Sequence, residues 1–431
     1  MGMNKPVTCF EHEPFNLEAE CLNEINAINK SFGNKVFKVT NIQNDEITLE
    51  AKQYVGLINI KGKIIQILPK IYSKDEKDEN EKRKQSIKNL LYMLNYAGLK
   101  LKDWDATAVF EKFDDIFEVL IYLFSKNLSE IVRKGFYRNY ITVEENISGA
   151  LRGKLLVHKH ATANFISKQK FYIEYDEFSE NNLLNRVFKF TTELLLGFSN
   201  NDINKKLLRD LKFLFSDVDY QEITDSDLKR ITFSRLNEHY RQPFNIAKMF
   251  IQRIWYPDYL ERQKEKEIYA FLIDMNKLFE DFLAQFIKRH RTDILPDEYQ
   301  HSDILIQKPE KYQYLVSDKN KKGVFRLEPD IMLKEGGDFK LIIDTKYKKL
   351  QPEERKLGVS QGDMYQIYAY VTRYDSPKAV LVYPEYEDYN QPIKKEFCTD
   401  EKKICVMTIN LLMDLSENEE ELKRCLRKIL E

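Results

Sequence analysis

The sequence predicts a multi-domain α+β protein, with a β-rich and helical N-terminal half and a C-terminal α/β domain built on a mixed sheet. Three observations carry that prediction. The chain has 431 residues, which at roughly 100–200 residues per domain is too long for a single core. Its apolar rhythm changes twice, from strand alternation to helical spacing and then to interleaved strands and helices. Apolar residues make up 43% of the chain and aromatics 13%, with only 14 Gly and 12 Pro, the composition of an ordered globular protein.

The elements follow in order. Between Tyr54 and Ile71 two β-branched runs flank Lys61-Gly62-Lys63, which predicts a hairpin in a small β-rich domain over 1–72. Ser73 to Lys84 carries charge and no apolar residue, and reads as a solvated loop or helix start. From Ile87 the spacing is helical, through Leu90, Leu91, Leu94 and Ala97 and again from Phe113 to Leu128. Strand-like alternation returns around Tyr140–Val143 and Leu155–His158, followed by helices near 182–196 and 243–255, all within a second region over 85–264. The third region, 265–431, predicts a long helix to His290 and strands near 302–307, 324–334 and 340–347. A helix near 360–374 and strands near 378–384 and 404–410 follow, before a last helix opened by Ser416 with Glu419 placed for a capping box. The helical crossover between the strands near 345 and 380 favours parallel pairing there.

Charge names no partner, because 68 Lys and Arg face 69 Asp and Glu for a formal charge of −1. A neutral sum does not exclude nucleic acid, since it hides segregation. Segment 131–170 is locally basic: Arg133, Lys134, Arg138, Arg152, Lys154, Lys159, Lys168 and Lys170 stand against Glu144 and Glu145. The absence of a long apolar run and of a signal-peptide core predicts a cytoplasmic protein with no membrane contact. Five cysteines without a CxxC predict reduced thiols rather than disulfides or zinc. His158 and His160 would share a strand face, but no third ligand accompanies them.

The chemistry concentrates in Leu327-Glu-Pro-Asp330 and Leu341-Ile-Ile-Asp344-Thr-Lys346, two runs joined by Glu335-Gly-Gly-Asp338. That joint is a turn signal, so the runs form an antiparallel hairpin. An odd-numbered loop centred on position 337 sets Asp330 opposite Asp344, and alternation puts Asp344 and Lys346 on one face. Two converging carboxylates repel each other; Mg²⁺, or Mn²⁺ in its place, is their natural partner, with waters retained. The Lys346 ammonium would orient or help deprotonate an attacking water, or stabilise charge on a phosphate.

These residues resemble the PD-(D/E)XK nuclease motif, in Pro329-Asp330 followed by Asp344-Thr345-Lys346. The resemblance implies a restriction-endonuclease-like C-terminal domain. It adds Glu280 as an extra metal ligand on the preceding helix, and Gln366 and Tyr370 as a QxxxY pair that positions the DNA backbone. Further signatures run in order: Val55-Gly56, Pro69-Lys70-Ile71, Asn89 to Ala97, Arg152-Gly153-Lys154, and Tyr175 to Asn182 with Asn185. Together they resemble McrC-like subunits of McrBC restriction systems, over about 54–384. Membership implies an endonuclease subunit that works with a hexameric AAA+ GTPase of the McrB type. In that family the motor reads modified double-stranded DNA, while the N-terminal half of the nuclease subunit docks into it and stimulates GTP hydrolysis. The chain has no G-x-x-x-x-G-K-[ST], so GTP belongs to the partner alone. Segment 131–170 is the candidate contact with ring or DNA. The rival expectations are a stand-alone repair nuclease of the same superfamily and a non-catalytic adaptor of the motor.

Overall fold

The structure, a computed structural model, describes residues 6–43, 45–73, 76–99, 109, 112–113, 115–149, 151–166, 169–255, 268–307, 312–389, 391–399 and 401–431. Where the sequence predicts three domains in series, over 1–72, 85–264 and 265–431, contacts gather into two units: 1–110 with 270–431, and 111–269.

In the first unit, β1 (Val7–Phe10) lies parallel to β6 (Lys63–Leu68), which forms the expected hairpin with β5 (Tyr54–Ile60). Lys61 and Gly62 make its turn, both at positive φ. β2 (Pro14–Glu18), β3 (Phe37–Gln43) and β4 (Glu46–Ala51) form a separate antiparallel sheet in the order β2-β4-β3. The charged run ends in the helix Glu79–Leu94, whose N-cap Asp78 accepts from the Asn80 and Glu81 amides. On it Asn89 is fully buried: its amide donates to the Ile71 and Met413 carbonyls at 2.7 and 2.8 Å, and its oxygen accepts from Leu415 N–H. One side chain thereby joins the segment after β6 to the segment before the last helix.

In the second unit β7 (Asn139–Ser148) and β8 (Lys154–Leu155) both pair with β9 (Lys170–Ser179). Helices Ile116–Val132, Leu183–Leu196, Asp202–Leu214 and Arg241–Arg253 enclose Phe117, Phe124, Phe188, Phe215 and Phe250. β10 (Ile254–Trp255) ends the described part of this region. Buried Glu118 accepts from the Ser199 hydroxyl, the Asn200 and Asn201 amides and the Asn204 side chain, which anchors the start of helix Asp202–Leu214. Asn182 and Asn185 each donate to the Tyr137 carbonyl at 2.9 Å, so that signature is a local brace.

Several expectations are corrected. His158 and His160 lie on the helix Val157–Ala163, not on a strand, because β8 stops at Leu155. Within the basic segment 131–170, Arg138 pairs with Glu180, Arg152 with Glu145, Lys154 with Glu174 and Lys159 with Glu144. A strand ladder brings together charges that are distant in sequence. Lys168 lies outside the described residues.

The predicted helix 265–290 begins outside the described residues and is then two elements, β11 (Ile268–Asp274) and the helix Met275–Arg289. Ile268–Ile273 is an unbroken apolar run buried throughout, the pattern of a central strand. β11 continues the sheet beside β5. The six-stranded sheet that follows has the order β12-β15-β16-β17-β19-β18. It comprises β12 (Asp303–Ile306), β15 (Ile331–Glu335), β16 (Asp338–Thr345), β17 (Lys378–Pro384), β18 (Lys394–Cys398) and β19 (Lys403–Ile409). β16, β17 and β19 are parallel, with the helix Gln361–Arg373 as the crossover after β16. Met332, Ile342, Leu381 and Val406 pack on that helix through Ile367 and Val371.

The expected strand 324–334 is split by Pro329: β14 (Gly323–Arg326) pairs with β13 (Tyr314–Ser317), while β15 joins the large sheet. β18 was not foreseen. The last helix starts at Glu419 without a capping box, since the Ser416 hydroxyl bonds Asp414 instead. The cysteines are free, and no helix among the described residues is long and apolar enough to cross a membrane.

Candidate active site

The β15–β16 hairpin turns on Gly336 and Gly337, at φ 59° and 103°, a two-residue loop that needs positive φ at both positions. An even loop alone would move Asp330 off register with Asp344. A bulge at Leu333/Lys334 restores it: Glu335 pairs with Asp338 and Lys334 with Phe339, but Leu333 pairs with Leu341 and Ile331 with Ile343. One step further, Asp330 comes beside Asp344. The expected juxtaposition therefore holds, by a turn plus a bulge rather than by an odd loop.

Asp344 is 1% exposed at the end of β16, on the face that Ile342 turns toward helix Gln361–Arg373. The Lys346 ammonium donates to Asp344 Oδ2, and Lys346 N–H donates to the Val382 carbonyl at 2.9 Å. Asp330 Oδ2 accepts from the Thr345 amide at 2.7 Å and from its hydroxyl at 2.8 Å. Helix Met275–Arg289 supplies Glu280, which accepts from Lys277 and from the Gln307 side-chain amide. Gln307 N–H donates to the Asp330 carbonyl at 3.1 Å, so this residue ties Glu280 to Asp330. Sequence reading missed Gln307, Thr345 and Lys277. The only signal for Gln307 was its place at the end of an apolar strand.

Electrostatics follow from crowding. Burial, then the charge of Asp330, pushes Asp344 up to about 7 against the pull of Lys346. Burial and Asp330 likewise push Glu280 up to about 7, and burial raises Asp330 itself. Burial disfavours the Lys346 ammonium, yet Asp344 and Asp330 hold it above the usual lysine range. It is thus a cation at neutral pH, suited to stabilising negative charge rather than to accepting a proton.

The remaining pair sits on one helix. Gln366 is exposed and donates through its amide to the Tyr370 hydroxyl at 2.7 Å. Tyr370 is 3% exposed and donates to the Glu328 carbonyl at 3.2 Å, while Tyr374, one turn on, donates to the Leu327 carbonyl at 3.0 Å. Two tyrosines thus hold the backbone leading into Pro329-Asp330. Gln366 and Tyr370 also line a cavity of about 730 Å³ with Arg326, Tyr365 and Arg373.

Among the described residues no three His, Cys, Asp or Glu side chains form a ready ligand shell. The donor set nevertheless suits Mg²⁺. Asp330 and Asp344 offer hard oxygens whose mutual repulsion a divalent cation would relieve, and Mg²⁺ takes few protein ligands while keeping its own waters.

Fold and site together define a multi-sheet α/β chain with a paired-carboxylate and lysine centre. The chain belongs to the family of McrBC 5-methylcytosine restriction system components, whose model matches residues 49–384. No curated protein matches it. Among solved structures it is similar to a chain of the refined half-complex from a tetradecameric assembly of Thermococcus gammatolerans McrB AAA+ hexamers with bound McrC. Identity there is 24% over 98% of this chain and 100% of that one, with a TM-score of 0.64, which shows a shared fold. A chain of the cryo-EM structure of the Thermococcus gammatolerans McrBC complex is 26% identical over 66% of this chain and 88% of its own, at a TM-score of 0.49.

Proposed function

We propose that this chain is the DNA-cleaving subunit of a modification-dependent restriction complex, with a PD-(D/E)XK-type nuclease domain in its C-terminal sheet, acting when assembled with an McrB-type AAA+ GTPase hexamer. The observation that carries the reading is the meeting of Asp330, Asp344 and Lys346 at one end of a mixed sheet. Family membership and the fold shared with a chain from an McrB–McrC assembly support the partner.

Asp330 and Asp344 would hold Mg²⁺ or Mn²⁺, with Glu280 available as a further oxygen donor. When bound, such a cation would supply charge that polarises a phosphodiester and favours deprotonation of the attacking water. Lys346 stabilises negative charge on the phosphate as water adds. Tyr370 and Tyr374 keep Asp330 in place, and exposed Gln366, with Arg326 and Arg373 on the wall of the adjoining cavity, receives the DNA backbone. GTP is bound and hydrolysed by the partner, which also reads the modified base.

The test combines the chain, its motor, GTP, Mg²⁺ and methylated duplex DNA. Wild type cleaves, and Asp344→Ala does not, while still stimulating the partner's GTPase. Cleavage by wild type without motor or GTP would make it a stand-alone nuclease. Inactivity of wild type on all modified substrates would leave an adaptor.

A further inference from the structure

Tyr383 is 1% exposed on β17, and among the described residues no group donates to or accepts from its hydroxyl. Such a group costs about 1–3 kcal/mol relative to a paired one, and buried hydroxyls without partners are rare. Packing alone would favour phenylalanine at this position.

The register shows what the hydroxyl lies beside. β17 runs parallel to β16 with Asp344 against Leu381 and Thr345 against Val382, so one step further Tyr383 comes beside Lys346. Alternation puts Leu381 and Tyr383 on the face that carries Asp344 and Lys346, and Leu381 and Tyr383 both belong to the core under helix Gln361–Arg373. The first turn of that helix adds Asp363, 8% exposed, whose carboxylate takes the Lys348 ammonium at 2.9 and 3.1 Å. Burial first, then the charges of Asp363 and Asp344, hold the phenol proton in place. A phenol hydroxyl and carboxylates on one buried face are groups of the kind that an internal water bridges.

We propose that Tyr383 is a positioning residue of this site, orienting the Asp344 carboxylate through a buried water shared with Asp363. The proposal rests on the nuclease reading for its effect on cleavage. One oxygen of Asp344 is committed to Lys346. The Tyr383 hydroxyl limits rotation of the carboxylate as a whole, which fixes the alignment of its other oxygen.

Tyr383→Phe removes one oxygen atom and tests this in the full chain. Three measurements are made: thermal melting of the metal-free protein, Mg²⁺ affinity by calorimetry without DNA, and cleavage with motor and GTP. The expected variant melts within a few degrees of the wild-type temperature, binds Mg²⁺ about tenfold more weakly, and loses about tenfold in kcat with KM for DNA unchanged. Unchanged Mg²⁺ affinity and kcat would overturn the proposal. A lowered melting temperature with unchanged Mg²⁺ affinity would assign the hydroxyl to packing and overturn it as well. If wild type binds Mg²⁺ but never cleaves, the nuclease reading fails, and the affinity comparison still decides the role of Tyr383.

Discussion

The Tyr347 hydroxyl donates a 2.6 Å hydrogen bond to the Glu11 carboxylate, joining the N-terminal segment to the residue after Lys346. Glu11 is wholly buried, and the same oxygen accepts from Lys70 N–H at 2.9 Å. It lies outside the 49–384 range that the family model matches. The Tyr347 ring packs edge-on against Phe279, the neighbour of Glu280. The N-terminal strands are therefore part of the frame that carries the candidate site.

Glu11 makes stability depend on pH. Burial pushes it from 4.5 up to about 7, against the opposing pulls of Tyr347 and Lys70. An acid raised on folding binds its proton more tightly in the folded state, so its contribution is full below about 4.5 and is lost as pH rises through about 7. The size is about 3 kcal/mol. Glu11→Gln resembles the protonated form, and urea unfolding at pH 5 and pH 8 should show a flatter profile than wild type, with the variant the more stable at pH 8. Equal pH dependence in both proteins would refute the assignment.

Gly56 cannot carry a side chain. A Cβ there would meet the Phe271 carbonyl oxygen at 2.1 Å, and its φ of 138° is hostile to other residues. Gly56→Ala must push β5 off β11, and an expected loss of about 3 kcal/mol or more would appear as a fall in melting temperature. A variant that melts with wild type would show that this contact is not close.

Mg²⁺ should stabilise the protein more at pH 8 than at pH 6. Asp344 and Glu280, each near 7, are protonated for much of the time at the lower pH, and protons compete with the metal. In the metal-free protein their contribution declines as pH rises through about 7, so the cation offsets a growing repulsion. Differential scanning fluorimetry with and without Mg²⁺ measures this, and Asp344→Asn should abolish the shift.

Tyr370→Phe should cost about 1 kcal/mol of stability, since it frees the Glu328 carbonyl while Tyr374 still holds that of Leu327. Cleavage should fall severalfold rather than vanish, because Asp330 keeps its bonds from Thr345. Complete loss of cleavage with an unchanged melting curve would give Tyr370 a direct part in the chemistry.

Legibility followed the range of the interactions. Gly336-Gly337 and the alternation through Asp344 and Lys346 are local signals, and they were enough to place Asp330 beside Asp344 even though the intervening bulge was invisible. Gln307 was not legible, because its bonds to Glu280 and Asp330 reach to other elements. The ion pairs of the basic segment were not legible for a related reason. Lys154 has its acid at Glu174 on the neighbouring strand and Arg138 has its acid at Glu180 just past that strand's end, so a local charge sum counted cations whose partners lay elsewhere.

By itself the sequence determined the mixed-sheet hairpin, its carboxylate pair and lysine, and the ordered signatures of the family, since turn chemistry and side-chain alternation act over a few residues. Only the tertiary structure decided that residues 1–110 share a unit with 270–431, that Glu11 braces Tyr347, and that Tyr383 comes beside Lys346. Those relationships depend on which distant strands pair and in what register, and burial then changes the charge state of the acids that meet there.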